Sequence, residues 1–308
     1  MTVIDWSLLT RTARKVELYR DEVYLREAWA DLCEVAGQDR NAVLSGSALL
    51  VVRPEGVRSG RLDPTLKFLD RHGFRIVATE PVGFDRMLAR ELWRYQHTLA
   101  SLDRLAVVDQ MLSVGPALLL LMHGPDGAVP ATTALSRLKG ASNPAGRPPG
   151  TLRELLDQPN RLFALVHCAD EPADLVRELG ILVDSPTRRR LIRALVDGEL
   201  AAADAARLAE FRAAPTAELD VPAALKRICA EVAAAGTAGH EALRLLDASA
   251  GGSLVPWRHL MGELTRLGIR PSAWDLALVG SSSIEYDEPH AVKLLGSPDL
   301  DAWSRPDD

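Results

Sequence analysis

The sequence predicts an α+β protein: an antiparallel sheet carrying helices, followed by a mostly α-helical C-terminal region. Three observations carry this expectation. Short apolar runs alternate with stretches of helical spacing between residues 47 and 184, the composition shifts to Ala, Leu, Arg and Glu after Asp184-Ser185-Pro186, and the first 36 residues repeat apolar positions at i, i+3 and i+4. With 308 residues, 47% hydrophobic and 25% charged, the chain is long enough for two domains and too apolar to be disordered.

Trp6 to Ala36 reads as helix, because Leu8, Leu9, Val16, Tyr19, Val23, Ala28, Leu32 and Val35 share recurrent helical spacings with charges between them. Residues 37–47 are polar and turn-rich, and the apolar run Ala48 to Val52 suits a buried strand. Leu62 to His72 has helical spacing that stops at Gly73, and Phe74 to Val82 reads as the next strand. Phe84 to Leu112 is helical in two pieces, Pro116 to Met122 is a buried strand and Ala131 to Leu138 a short helix. After a Gly- and Pro-rich loop at 140–150, Leu162 to His167 reads as a strand and Glu171 to Val183 as a helix with Pro172 in its first turn. This order is that of a ferredoxin-like split βαβ plan, with helices on one face of the sheet. Beyond it, helices are expected over Thr187 to Val196, Glu199 to Ala213, Pro222 to Ala235, His240 to Ala248 and Pro256 to Leu267, then a less regular tail. The expected domains are a helical N-terminal extension at 1–46, a sheet domain at 47–184 and a helical region at 185–308 to which the sequence assigns no role.

A net charge of −6, with no cluster of Lys and Arg interleaved with aromatics, speaks against a nucleic-acid partner. Met1 to Leu9 lacks a basic segment followed by an apolar one, and the apolar run Ala117 to Met122 is too short to cross a bilayer. A cytoplasmic protein without a membrane partner is expected. Cys33, Cys168 and Cys229 are odd in number and widely spaced, which fits reduced thiols. Glu285, Asp287, Glu288 and His290 either hold a metal or form a solvated acidic loop, and the loop is the reading taken; no protein metal site is expected. Trp257 and His259 are read as packing residues.

Val52-Arg53-Pro54-Glu55-Gly56-Val57, then Ser113-Val114-Gly115-Pro116, then Gly140-Ala141-Ser142-Asn143-Pro144 and Gly150-Thr151-Leu152-Arg153, then His167, resemble in order and spacing the motifs of the nucleoside diphosphate kinase family. The resemblance runs over about 47–184. It implies the nucleoside diphosphate kinase-like form of the ferredoxin-like sheet, a nucleoside triphosphate such as ATP or GTP as donor, Mg2+ arriving with that nucleotide, and a phosphohistidine on His167. Imidazole suits the task, being neutral near pH 7 and a good leaving group. The resemblance further implies that Glu178, eleven positions later, orients His167, and that Arg53, Tyr95, Ser142, Asn143 and Arg153 contact phosphate or nucleotide. The residues themselves support the Glu178 reading: it lies i+3 from Leu175 and i+4 before Leu182 on an apolar stripe, where a carboxylate needs a partner.

Each assignment has a plainer alternative. His167 could be a satisfied imidazole at a strand end, Glu178 a glutamate bordering the core, Arg153 a solvated side chain, Ser142 a turn residue, and Asp170 the cap of the helix near Pro172. The sequence also departs from the family. Arg53 stands where the family has lysine, Ser136 where it has a second phosphate-binding arginine, Ala164 where it has asparagine, and Arg104-Leu105 where its base-stacking phenylalanine falls. Three readings follow: a phosphotransferase with an altered acceptor or nucleotide preference, an inactive nucleotide-binding or scaffold protein, or a transferase whose helical region supplies a new acceptor pocket. The N-terminal helices and the C-terminal region are left to cover the site or to form a homo-oligomer contact.

Overall fold

A computed structural model describes residues 3–305; the first two residues of the expected N-terminal extension and the last three of the C-terminal region lie outside these. The chain opens with α1 (Ala13–Tyr19), α2 (Val23–Ala36) and α3 (Arg40–Gly46), then β1 (Ser47–Val52), α4 (Pro54–Arg58), α5 (Leu62–Arg71) and β2 (Arg75–Val82). It continues through α6 (Arg86–Leu92), α7 (Leu102–Leu112), β3 (Ala117–His123), α8 (Ala131–Lys139), α9 (Leu152–Leu155), β4 (Val166–Cys168) and α10 (Pro172–Leu182). The remainder is α11 (Ser185–Asp197), α12 (Ala202–Arg212), α13 (Val221–Ala233), α14 (His240–Ala250), α15 (Trp257–Arg266) and α16 (Ala273–Ser282).

The four strands form one antiparallel sheet in the order β2-β3-β1-β4, the ferredoxin-like arrangement. β1 consists of apolar residues after Ser47 and pairs on both sides, so it reads as a continuous hydrophobic run. All of β1, and all of β3 except His123, are buried. Both faces of the sheet centre are therefore covered, where helices on one face were expected. The strand expected over Leu162 to His167 is shorter and later. Residues 162–165 are buried but lie outside the strand, because Asn160 Oδ1 accepts from the amides of Leu162 and Phe163 at 2.9 and 2.7 Å and holds the chain in a turn; contact with the end of β1 begins at Leu165. The single helix expected over Trp6 to Ala36 is a 3-10 turn and two helices, and the polar stretch after Gly37 contains α3.

The N-terminal segment packs on α10. Gly180 permits the contact, since a Cβ there would lie 2.3 Å from the carbonyl oxygen of Tyr24. Four ionisable residues on α10 or just before it, Glu171, Asp174, Arg177 and Glu178, are buried, and three of them find their partners in this segment. Lys15 Nζ lies 2.8 Å from Glu171 and 2.5 Å from Asp174, Tyr19 donates to Asp174 at 2.9 Å, and Arg177 meets Glu22 at 2.5 Å. Burial opposes the charge on Lys15, yet Asp174 and Glu171 outweigh it and raise its pKa.

The C-terminal helices close the opposite flank. Asp204 accepts from the Thr79 amide of β2 at 2.9 Å, and Arg207 donates to the Thr79 carbonyl at 2.7 Å, so an outward-facing peptide of this edge strand is satisfied by side chains. Trp257 is fully buried, and its indole donates to Gln110 of α7 at 3.1 Å. His259, read as packing, is exposed beside Glu241 because the apolar stripe of α15 runs through Trp257, Leu260 and Leu264 instead. The tail expected after 267 contains α16, which approaches α7 closely at Gly280. No described helix is long and apolar enough to cross a membrane.

Gly180→Ala is expected to lower stability by about 1–3 kcal/mol through overpacking against Tyr24, read as a lower melting temperature. Gly262→Ala, in a helix where nothing lies within 4 Å of the added carbon, is the control and should be neutral or slightly stabilising.

Candidate functional site

β4 places His167 opposite Val51 at the sheet's far edge, and the half-buried imidazole points at α10. Its Nε2 lies 2.9 Å from Glu178 Oε1. A carboxylate accepts and does not donate, so Nε2 carries a proton; in the neutral ring the lone pair is then on Nδ1, which has no protein partner among the described residues. The other oxygen of Glu178 is buried without a partner, so the carboxylate is committed to the imidazole alone. Trp93 lies edge-on to His167 with ring centroids 5.8 Å apart.

The Arg53 guanidinium sits 4.9 Å from the Trp93 centroid, so Arg53 and His167 border the same indole. Arg53 follows directly on β1, and its amide donates to Leu165 at 3.1 Å, which ties the β1 end to the approach of β4. Its Nη2 lies 2.8 Å from Glu55, while Arg53 Nε is buried without a hydrogen-bond partner. Both oxygens of the fully buried Glu55 lack a directional hydrogen bond. Burial pushes the Glu55 carboxyl up to about 7, with Arg53 opposing.

Arg153 is buried and joins the phosphate-loop candidates to the histidine strand. Its Nη1 donates to Gly140 O and Ser142 Oγ, both at 2.9 Å, and its Nη2 to Val166 O at 3.3 Å. Burial lowers its pKa to about 10, which still leaves it protonated at neutral pH. Gly140, with φ of +81°, lets the loop turn tightly against Thr151, whose side chain would lie 2.6 Å from an added Cβ.

Two residues read as nucleotide contacts point elsewhere. The Tyr95 hydroxyl bonds Glu22 at 2.7 Å and Leu18 O at 3.1 Å, and the ring stacks on Tyr19, so this residue fastens the N-terminal segment. Asn143 is exposed and accepts from the Ala145 amide at 3.2 Å, a local turn contact. Asp170, read as a helix cap, instead receives Ser136 at 2.5 Å and Lys139 at 2.8 Å. Burial resists its ionisation, but Lys139 and Lys15 prevail and lower its pKa. Glu171 is the cap, in a reciprocal capping box with Asp174. Burial raises the Cys168 thiol to about 11 and keeps it protonated.

Trp93 and His97 were not singled out from the sequence, although their i, i+4 spacing was a signal. His97 lies 5.7 Å from Trp93, its Nδ1 is buried without a partner, and burial with nearby Arg104, Arg90 and Arg53 lowers its pKa to about 3. No group of three or more His, Cys, Asp and Glu that could hold a metal ion occurs among the described residues. Asp287 of the acidic tail cluster is paired with Arg104 and Arg161.

Residues 46–187 match the family model for nucleoside diphosphate kinase. The chain is 30% identical to the nucleoside diphosphate kinase of Moorella thermoacetica over 138 residues, 42% of this chain and 88% of the relative. It is 26% identical to that of Symbiobacterium thermophilum over 134 residues, 44% of this chain and 84% of the relative. A solved halophilic nucleoside diphosphate kinase from Halobacterium salinarum in complex with CDP is 25% identical, with a TM-score of 0.38, and the likeness covers 46% of this chain and 88% of that one.

Glu55 binds a proton more readily in the folded chain than in the unfolded one, because its pKa rises from 4.5 to about 7. Its contribution to stability is therefore lost as pH rises through that interval. Glu55→Gln is expected to gain stability relative to the unmodified chain as pH climbs from 5 to 7.5. Denaturant titrations across that range check this, and a difference independent of pH would contradict it.

Proposed function

Because this chain belongs to the nucleoside diphosphate kinase family through residues 46–187, we propose that it is a nucleotide-binding phosphotransferase that carries the phosphoryl group on His167. The observation that carries this reading is the 2.9 Å contact of His167 Nε2 with Glu178, which leaves the Nδ1 lone pair to act as nucleophile. A nucleoside triphosphate such as ATP or GTP is the donor. Magnesium travels on its phosphates as part of the substrate.

In the first half-reaction the Nδ1 lone pair attacks the terminal phosphorus. The bond from that phosphorus to its bridging oxygen breaks, and the nucleoside diphosphate leaves with the electron pair. The Nε2 proton stays on His167, held by Glu178, which stabilises the charge that develops on the ring. In the second half-reaction an acceptor oxygen anion attacks the phosphorus, the nitrogen–phosphorus bond breaks and Nδ1 recovers its lone pair. Arg53 and Arg153, with Ser142 beside the latter, supply positive charge and donors to the migrating group, since phosphoryl transfer is governed by positioning and electrostatics. Tyr95 and Asn143 would have to leave their present partners to take part.

The acceptor or nucleotide preference is proposed to differ from the family's, on the strength of Ser136, Ala164 and Arg104 at three of its contact positions. A second reading has its own support: the terminal nitrogens of Arg153 already bond Gly140, Ser142 and Val166, which suits a protein that binds nucleotide without transferring phosphate. Incubation with γ-labelled ATP separates the two. Acid-labile label that is absent from His167→Ala is the expected outcome, and binding without label would leave the second reading standing. Glu178→Gln is expected to slow labelling at least about tenfold, the equivalent of ~1.4 kcal/mol of transition-state stabilisation.

A further inference from the structure

Glu285, Glu288 and His290 of the acidic tail after α16 are exposed, but Asp287 turns inward and is half-buried. The tail runs alongside residues 98–101, which lead into α7, and meets them through one antiparallel bridge and a few hydrogen bonds. Ser101 donates through its amide to Tyr286 O at 3.0 Å and through its hydroxyl to Glu285 O at 2.6 Å. The Glu288 amide donates to Leu99 O at 2.7 Å, and Ala100 and Asp287 form an antiparallel bridge. At the centre of this strap the Asp287 carboxylate joins two arginines from different parts of the kinase-like region. Its Oδ1 lies 2.7 Å from Arg104 Nη1 of α7, and its Oδ2 lies 2.6 Å from Arg161 Nη2, on the loop that leads from the phosphate-loop candidates to β4.

The two cations share a single carboxylate. Arg104 Nε, and on its neighbours Arg90 Nη1 and His97 Nδ1, are buried without hydrogen-bond partners. His97 contacts Trp93 at 5.7 Å and Trp93 contacts His167 at 5.8 Å, so a row of rings links this patch to the histidine. A phosphate monoester carries close to two negative charges and three strong acceptor oxygens, and would balance two guanidiniums better than one carboxylate does.

We propose that Arg104 and Arg161 form a phosphate-binding site, linked to His167 through His97 and Trp93, which this chain's own Asp287 fills as an internal ligand. The strap 285–288 then competes with any phosphate-bearing substrate entering there, and a substrate able to displace it is selected by its charge as well as its shape. The inference rests on the reading of this chain as a binder of phosphate-bearing ligands and not on transfer to His167.

Calorimetric titration of the full chain with sodium tripolyphosphate tests it. Asp287→Asn should bind about tenfold more tightly than the unmodified chain if the strap is closed in roughly nine molecules of ten. Equal or weaker binding, or no binding by either protein, overturns the proposal. Hydrogen exchange on the unmodified chain gives a readout that needs no variant: saturating tripolyphosphate should speed exchange at the amides of Ser101 and Glu288, and unchanged or slower exchange overturns it as well. A protein that shows the affinity gain but never labels His167 keeps the strap and loses the kinase. Equal affinities in a protein that labels His167 lose the strap alone.

Discussion

Burying charge on the helix that carries Glu178 is the constraint on which the rest of this structure depends. A carboxylate or guanidinium taken out of water without a partner costs several kcal/mol, and breaking a buried pair by removing one member costs about 3–5 kcal/mol. Glu171 and Asp174, at the start of α10, share Lys15, and Arg177 is matched by Glu22. The N-terminal segment thus acts as counter-charge for a helix that otherwise could not bury these groups. Tyr95 joins the same network through Glu22, which explains why its hydroxyl is turned toward the N-terminal segment.

The histidine's geometry inherits that arrangement. β4 is held to β1 through only three residue pairs, so the sheet alone gives His167 little orientation. Orientation comes instead from Glu178, whose helix is fixed by the ion pairs behind it, and from Arg153, which grips Val166 one residue before the histidine. Ser136, which departs from the family, fits the same picture. Where the family resemblance leads one to look for an arginine, a hydroxyl and Lys139 converge on Asp170 and turn the position from ligand contact to internal support.

The sheet was readable because β1 and β3 are unbroken apolar runs whose length suits a strand and not a helix. Leu162 to Leu165 misled for the same reason, since burial and strand pairing are separate facts and Asn160 holds that run in a turn. α16 escaped detection because nearly every residue is buried, so no apolar stripe stands out against a polar face. α3 is one of the short helices, buries only Val43 and Leu44, and lies in a stretch whose composition suggests turns. The contact between His167 and Glu178 was legible through the family resemblance, which implies it, and through the apolar stripe around Glu178. The pairing of Asp287 with Arg104 was not, because 183 residues separate them and no local pattern marks either one. Trp93 and His97 fall between, with a visible spacing whose neighbours only the fold reveals.

Closure of the β2 edge has a consequence for assembly. An edge strand ordinarily offers its outward peptides to a second chain, and two-fold sheet extension is one of the simplest ways for a small α+β protein to dimerise. Here the Thr79 peptide is occupied on both its nitrogen and its oxygen by Asp204 and Arg207 of α12. The C-terminal region performs in cis the capping that a neighbouring subunit would perform in trans. A copy of this chain that joined another through the middle of β2 would first have to dislodge its own helix.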